Sequence, residues 1–241
     1  MRPTRAGLNS TPEGCAERFS LHATRGAAVA TATTQACPMP VRPQTSLFET
    51  DLFDVGPQQL IDDAEGGVSY RPGFIDMATA RHWFDALRDD VAWQAQRRPM
   101  YDRVVDVPRL VAAYRLDDPG LPESIVQAAA LLRTDTGEPF NAVGLNYYRD
   151  GRDSVAPHND KLHSLVPGHP IALLSLGASR RMTIRAKPPQ RHVQNIDLQS
   201  ASVLLMSHAS QLHYEHGIPK TREPVGPRIS LAFRVRPTGR A

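Results

Sequence analysis

Cysteine is nearly absent from this chain: two in 241 residues, Cys15 and Cys37, both within the first 45. The remainder therefore has no disulfide framework, no cysteine-based zinc site and no iron–sulfur cluster. No apolar run approaches the eighteen or so residues of a membrane span. The stretch GAAVATATTQA is too weakly apolar for a signal peptide, so cytoplasm is the default expectation. The Arg-bearing, acid-poor start is also compatible with an organelle transit peptide. There is no internal repeat and no glycine-rich phosphate loop.

Acids are scarce at the start as well. Residues 1–45 hold only Glu13 and Glu17 against five Arg, in a background of Ala, Thr and Pro without apolar periodicity. Such a segment cannot offset its ordering entropy, and it is expected to be a disordered tail preceding one domain over 46–241. The net charge of +3 divides unevenly, with −8 over 46–140 and +7 over 141–236. The second half is the part that would attract a polyanion.

What is present sorts into helices first and strands after. Asp76 is placed to cap a helix of about a dozen residues that directs Met77, Ala80, Trp83, Phe84 and Leu87 to one face. Residues 93–118, rich in Arg and Tyr, read as irregular. LPESIVQAAALLRT reads as a second helix, with Pro122 and Glu123 at its start and Ile125, Val126, Ala129 and Leu132 inward. The pieces SLFETDLF and VSYRPGFI read as short extended segments. From Phe140 the texture changes to β-like runs: AVGLNYY, IALLSL, RMTIRA, SVLLM and RISLAFRV. This order predicts an α+β domain, a double-sheet core buttressed by helices.

Within SVAPHNDKLHSLVPGH lie His158, Asp160, His163 and His169. In an extended segment His158 and Asp160 point to one side and can aim an imidazole and a carboxylate at one point. A chain with nine His and seventeen Asp yields a His-x-Asp pair by chance on the order of half a time, so the pair alone says little. HYEHGIP adds His213 and His216 after a strand. PRISLAFRVR sets Arg228, Ser230, Ala232, Arg234 and Arg236 on one face, with Ile229, Leu231, Phe233 and Val235 on the other. Arginines turned into a sandwich require anions, and a small dicarboxylate matches guanidinium forks. Two His and one carboxylate with open positions suit non-haem Fe(II) oxygenases, with a zinc hydrolase as the alternative.

The ordered set LNYYRDG, HNDK, PIALLSLG, LLMSHASQLHYEHGIPK and PRISLAFR, over roughly residues 100–236, resembles the AlkB-like family of Fe(II)/2-oxoglutarate dioxygenases. The resemblance implies a double-stranded β-helix (jelly roll) with supporting N-terminal helices and a β core at 140–236. His158, Asp160 and His216 would be the iron ligands, leaving His163, His169, His208 and His213 as bystanders. Asn146 and Tyr148 match positions that contact 2-oxoglutarate. Arg234 matches the arginine on its distal carboxylate, and Arg228 the strand's other arginine, which could equally brace the iron-ligating carboxylate. Fe(II), 2-oxoglutarate and O2 would together hydroxylate a C–H bond, yielding succinate and CO2, and an N-alkyl group so hydroxylated leaves as an aldehyde.

The implied substrate is alkylated DNA or RNA, and the implied protein a monomeric repair demethylase. Residues 93–118 would form the nucleotide-recognition lid, with Tyr101, Arg103 and Arg109 as substrate-binding candidates. Arg180, Arg181, Arg185, Lys187 and Arg191 form a candidate phosphate-facing hairpin. Leu162 stands where many repair members carry a base-recognising acid, and Ser230 and Ala232 replace the Asn and Thr common between the two arginines. These departures keep open a 2-oxoglutarate-dependent hydroxylase of a protein or small molecule. A non-catalytic nucleic-acid-binding module is the third reading; three ordered iron ligands argue against it.

Overall fold

The structure, a computed structural model, describes residues 56–100 and 103–238, with side chains described outside 98–106. The expected tail at 1–45 and the piece SLFETDLF lie outside the described residues. Among the described residues no helix is long and apolar enough to cross a membrane.

Helix α1 (Met77–Asp90) starts where Asp76 accepts hydrogen bonds from Thr79 N at 2.8 Å and Thr79 Oγ1 at 2.6 Å, satisfying donors that a helix leaves open at its first turn. It buries Ala80, Trp83, Phe84 and Leu87. Met77, expected on that face, is 59% exposed, because the buried stripe begins a turn later. Helix α2 (Glu123–Thr136) ends at Gly137, whose φ of 72° is the left-handed geometry that glycine adopts at low cost. Its inward face is Ile125, Ala128, Ala129 and Leu132; Val126, expected inward, sits one step off that stripe and is 44% exposed.

Among the described residues, twelve strands build two antiparallel sheets. The larger has the order β1 (Gln58–Ile61), β2 (Val68–Arg71), β10 (Ser202–Met206), β7 (Ile171–Gly177), β12 (Arg228–Arg234), β5 (Ala142–Tyr148), β4 (Arg103–Arg115), β3 (Gln94–Met100). The smaller has the order β6 (Val155–His158), β11 (Tyr214–Ile218), β8 (Arg180–Ala186), β9 (Val193–Leu198). The five β-like runs correspond to β5, β7, β8, β10 and β12, and of VSYRPGFI only Val68–Arg71 is strand. This is the jelly-roll architecture with supporting helices.

Period-two alternation distributes each central strand between two cores. Ile229, Leu231 and Phe233 of β12 join Leu174 and Leu176 of β7 in a cluster under the helices. Ala232 and Leu173 face the other way, with Met182, Ile184, Met206 and Ile218 of the inter-sheet cluster. Arg228, Ser230 and Arg234 share that second face, so two guanidiniums enter the space between the sheets.

Residues 93–118 are not irregular: β3 and β4 form an antiparallel hairpin with Met100 opposite Arg103. Strand β4 pairs with β5 over Leu110–Arg115, whereas Arg97–Met100 and Arg103–Asp106 pair with each other. The alternation that makes these strands is obscured by arginines and by Pro99 and Pro108, residues that sheets tolerate at edges and irregularities.

Gly177 ends β7 at φ 84°, and a Cβ there would lie 2.5 Å from Pro227 O and 2.7 Å from a Phe84 ring carbon. Gly177→Ala is expected to destabilise the protein by about 2 kcal/mol or more through backbone strain and this clash, measured as a lower urea midpoint.

Candidate active site

Strand β6 is short, and its pairing with β11 places His216 directly across from His158. The ring centroids are 4.5 Å apart. Gly217 makes the approach possible: a Cβ there would stand 2.9 Å from Val155 O and 3.0 Å from Pro157 N. Asp160 follows two residues after His158. The three side chains offer donor atoms that all lie within 4.8 Å of one another, the group of this kind found among the described residues. Two imidazoles and a carboxylate on one side of an ion leave positions open, which fits a ferrous centre.

Each donor is prepared by a neighbour. His158 Nδ1 lies 3.0 Å from Ala156 O; a carbonyl only accepts, so Nδ1 carries the proton and Nε2 keeps the lone pair. Burial, reinforced by His158, pushes the His216 imidazole down to about 3, so it is a neutral donor at ordinary pH. Burial opposes ionisation of Asp160, but the charge and hydrogen bond of Arg234 outweigh it and hold the carboxyl below its usual range. Arg234 Nε donates to Asp160 Oδ2 at 2.5 Å, and its Nη1 to Ala232 O at 2.8 Å. A Cβ on Gly144 would sit 3.2 Å from that Nη1, so the glycine leaves the guanidinium its place.

Arg228 contrasts with Arg234. It is 1% exposed, its Nη2 donates to Ser175 Oγ at 2.9 Å, and its buried Nε has no hydrogen-bond partner. The Tyr148 ring lies 5.3 Å away, and burial pushes the guanidinium below its ordinary pKa. A buried cation with a spare N–H is costly unless an anion completes it. It is thus Arg234, and not Arg228, that braces the carboxylate of the triplet, while Arg228 keeps a buried N–H without a partner. Spacing sets both on one face, but only the position of Asp160 beside the end of β12 decides which it meets.

Asn146 and Tyr148 reach the same cavity, of about 1100 Å³. Arg109 does too, where its Nε donates to Asn146 Oδ1 at 2.6 Å and its Nη1 to Ser154 O at 3.3 Å. Tyr101 lies outside the described residues, and Arg103 is in β4 with its side chain undescribed. Leu162 opens a 3-10 turn and is not among the cavity's lining residues. His169 bonds Glu138 at 2.7 Å, which accounts for it structurally.

The candidate phosphate-facing hairpin is largely committed elsewhere. Arg180 is buried and donates to the carbonyls of Asp150, Asp153 and Pro219. Arg181 pairs with Asp197, Arg185 with Glu215, and Lys187 Nζ donates to Gln211 O and Leu212 O.

Sequence reasoning passes over Gln211. It is 1% exposed, in the short helix α3 (Ser210–His213), and its Oε1 accepts the Asp160 backbone N–H at 3.0 Å. Its Nε2 donates to Ser210 Oγ at 3.1 Å, and that hydroxyl donates to Ser207 O at 2.7 Å. Ser207 Oγ donates to Asp63 Oδ2 at 2.7 Å, tying the β1–β2 turn into the network. A lone glutamine carries no spacing signal that would mark it.

A jelly roll with a His-x-Asp and a distant His converging beside a buried, anion-seeking arginine defines the architecture of a non-haem, 2-oxoglutarate-dependent iron oxygenase. The chain belongs to the 2OG-Fe(II) oxygenase superfamily, whose family model matches residues 114–234, and is AlkB-like within it. It is 32% identical over 183 residues to alpha-ketoglutarate-dependent dioxygenase alkB homolog 3 of Bos taurus, covering 68% of this chain and 64% of that protein. It is 39% identical over 106 residues to DNA oxidative demethylase ALKBH2 of Homo sapiens, covering 41% of each. The chain thus spans less than two thirds of these relatives' lengths. A prolyl-4-hydroxylase from Pseudomonas putida aligns with a TM-score of 0.49 at 15% identity, over 71% of this chain and 93% of that one.

Gln211→Leu removes the acceptor of a half-buried N–H beside Asp160. Cobalt(II) affinity, read by titration of the metal-free protein, is expected to fall about 10- to 100-fold, as for the supporting partners of other metal ligands.

Proposed function

We propose that this protein catalyses Fe(II)- and 2-oxoglutarate-dependent oxidative demethylation of N-alkylated bases in DNA or RNA. The observation that carries the reading is the buried Arg228, one N–H unpaired, in the same cavity as His158, Asp160 and His216. The names of the relatives, dioxygenase and DNA oxidative demethylase, support it.

In this reading His158, Asp160 and His216 hold the ferrous ion, and Arg234 keeps Asp160 ionised and aimed. Arg228, with Ser175 and Tyr148 beside it, takes the distal carboxylate of 2-oxoglutarate as a charge-assisted pair. Asn146 has its carbonyl oxygen engaged by Arg109, so its amide N–H groups are the end left for the cosubstrate. The iron, 2-oxoglutarate and O2 supply a hydroxylation that converts N–CH3 to N–CH2OH, with succinate and CO2 formed; the carbon then departs as formaldehyde and the nitrogen regains its hydrogen. The protein's part is to hold the methyl group at the metal and to exclude other oxidisable groups.

The β3–β4 hairpin serves as the lid, since Gln94, Gln96, Val107 and Pro108 line the cavity. Arg109 links that lid to the cosubstrate wall. Tyr101 and Arg103 are assigned to substrate on the family resemblance alone. Leu162, at the sequence position where many relatives carry an acid, keeps open the second reading, a hydroxylase acting on a protein or small molecule.

The test is a panel of N-methylated DNA and RNA oligonucleotides with iron and 2-oxoglutarate. Loss of one methyl mass, with formaldehyde and succinate released one for one, is expected. Succinate formation indifferent to every oligonucleotide would transfer the chemistry to the second reading. Arg228→Ala is expected to raise the 2-oxoglutarate KM about 10- to 100-fold, the worth of one or two hydrogen bonds to a charged group. Thermal unfolding run in parallel separates this from loss of the fold.

A further inference from the structure

The cavity walls carry six cationic side chains, Arg109, Lys161, Lys220, Arg228, Arg234 and Arg236, against one carboxylate, Asp160. Three are accounted for: Arg109 bonds Asn146 and Ser154, Arg234 bonds Asp160, and Arg228 is matched to the cosubstrate. A ferrous ion and a 2-oxoglutarate dianion cancel one another, so the excess is unrelieved by loading the site. The other three, Lys161, Lys220 and Arg236, are exposed and have no ion pair or side-chain hydrogen bond among the described residues. Surface arginines away from the cavity are commonly paired, as in Arg71–Asp135, Arg115–Asp117, Arg152–Asp150 and Arg181–Asp197.

Their positions are set by backbone that is itself fixed. Lys161 follows Asp160 off the end of β6. Arg236 lies two residues past Arg234, its backbone N and O bonded to the Asn141 side chain at 2.8 Å each. Lys220 follows β11 beyond Ile218, which pairs with Val155 at the opposite end of β6. The loop it starts is held by Arg180 on Pro219 O and by Thr221 N on Gly151 O. Lys161 and Arg236 therefore follow backbone at the Asp160 end of the opening, and Lys220 follows backbone at the Val155 end of β6, a strand spanning about 10 Å.

We infer that Lys161, Lys220 and Arg236 form a cationic rim that holds phosphates of a nucleic-acid strand on both sides of the nucleotide entering the cavity. This rests on the demethylase reading and adds to it the residues that grip the strand. A nucleotide drawn into a pocket keeps a phosphate on each side, so cations at both ends meet anions that the substrate always presents. Such contacts hold the strand without reading its sequence. A substrate without regularly spaced anions leaves the rim without ligands.

The experiment measures binding of a single-stranded, methylated oligonucleotide against salt concentration for the intact protein and for Lys161→Ala, Lys220→Ala, Arg236→Ala and the triple variant. Each lost single-strand phosphate contact lowers the slope of log affinity against log salt by about 0.7. The triple variant is expected to lose about 2 in slope, and Lys161→Arg with Lys220→Arg to keep it. Cobalt(II) binding and thermal unfolding on the same samples verify that the site and fold persist. An unchanged slope in the triple variant overturns the rim, as does an intact protein whose oligonucleotide binding is insensitive to salt. Equal competition by polyglutamate, with the same slope, overturns the assignment to nucleic acid. Salt slopes that fall as expected in a protein that removes no methyl group leave the rim standing and refute the demethylase.

Discussion

The site depends on one cross-strand register, His216 opposite His158 in the pairing of β11 with β6. A slip of one residue would turn every side chain of β6 to the other face, and the two imidazoles would part. The register is guarded by Gly217, where any side chain would push the strands apart. On the other flank, β8 pairs with β11 with Ile184 across from His216, so the strand is fixed from both sides. A rigid pair of strands thus brings together imidazoles almost sixty residues apart in the chain.

Two arginines on one strand divide the electrostatic work. At one end Arg234 spends its charge inside the protein, offsetting the burial of Asp160 and keeping it ionised. At the other, Arg228 has a hydroxyl and an aromatic face for neighbours and no carboxylate. Because a deep cation without an anion is unfavourable, this end of the strand favours an anionic neighbour over a neutral one. Gln211 and its serine network supply the remaining rigidity by fixing the backbone beside Asp160 from below.

Much of this was legible because the β12 pattern has a period of two: Ile229, Leu231 and Phe233 had to face one core, which sent the arginines to the other. The metal triplet was legible through ordered motifs rather than through spacing, since His-x-Asp by itself is close to chance. The hairpin at 94–115 was not, because arginines and two prolines break its alternation, and pairing to β5 organises it. Strands β6, β9 and β11 are short and carry polar or charged residues that mask any apolar period. The parts played by Arg228 and Arg234 depend on how β12 sits relative to the loop after β6, a tertiary fact that a residue interval does not contain. The basic residues of β8 fail as a phosphate surface for a similar reason: their partners Asp197 and Glu215 come from neighbouring strands.

The incomplete pairing of Arg228 also bears on how long the protein survives. A ligand that binds only the folded form raises stability by an amount set by its concentration, about 2.7 kcal/mol at a hundredfold excess over Kd. An anion meeting Arg228, as proposed for the keto-diacid, would also remove a penalty already present in the bare fold, so the loaded protein would resist unfolding more than the bare one.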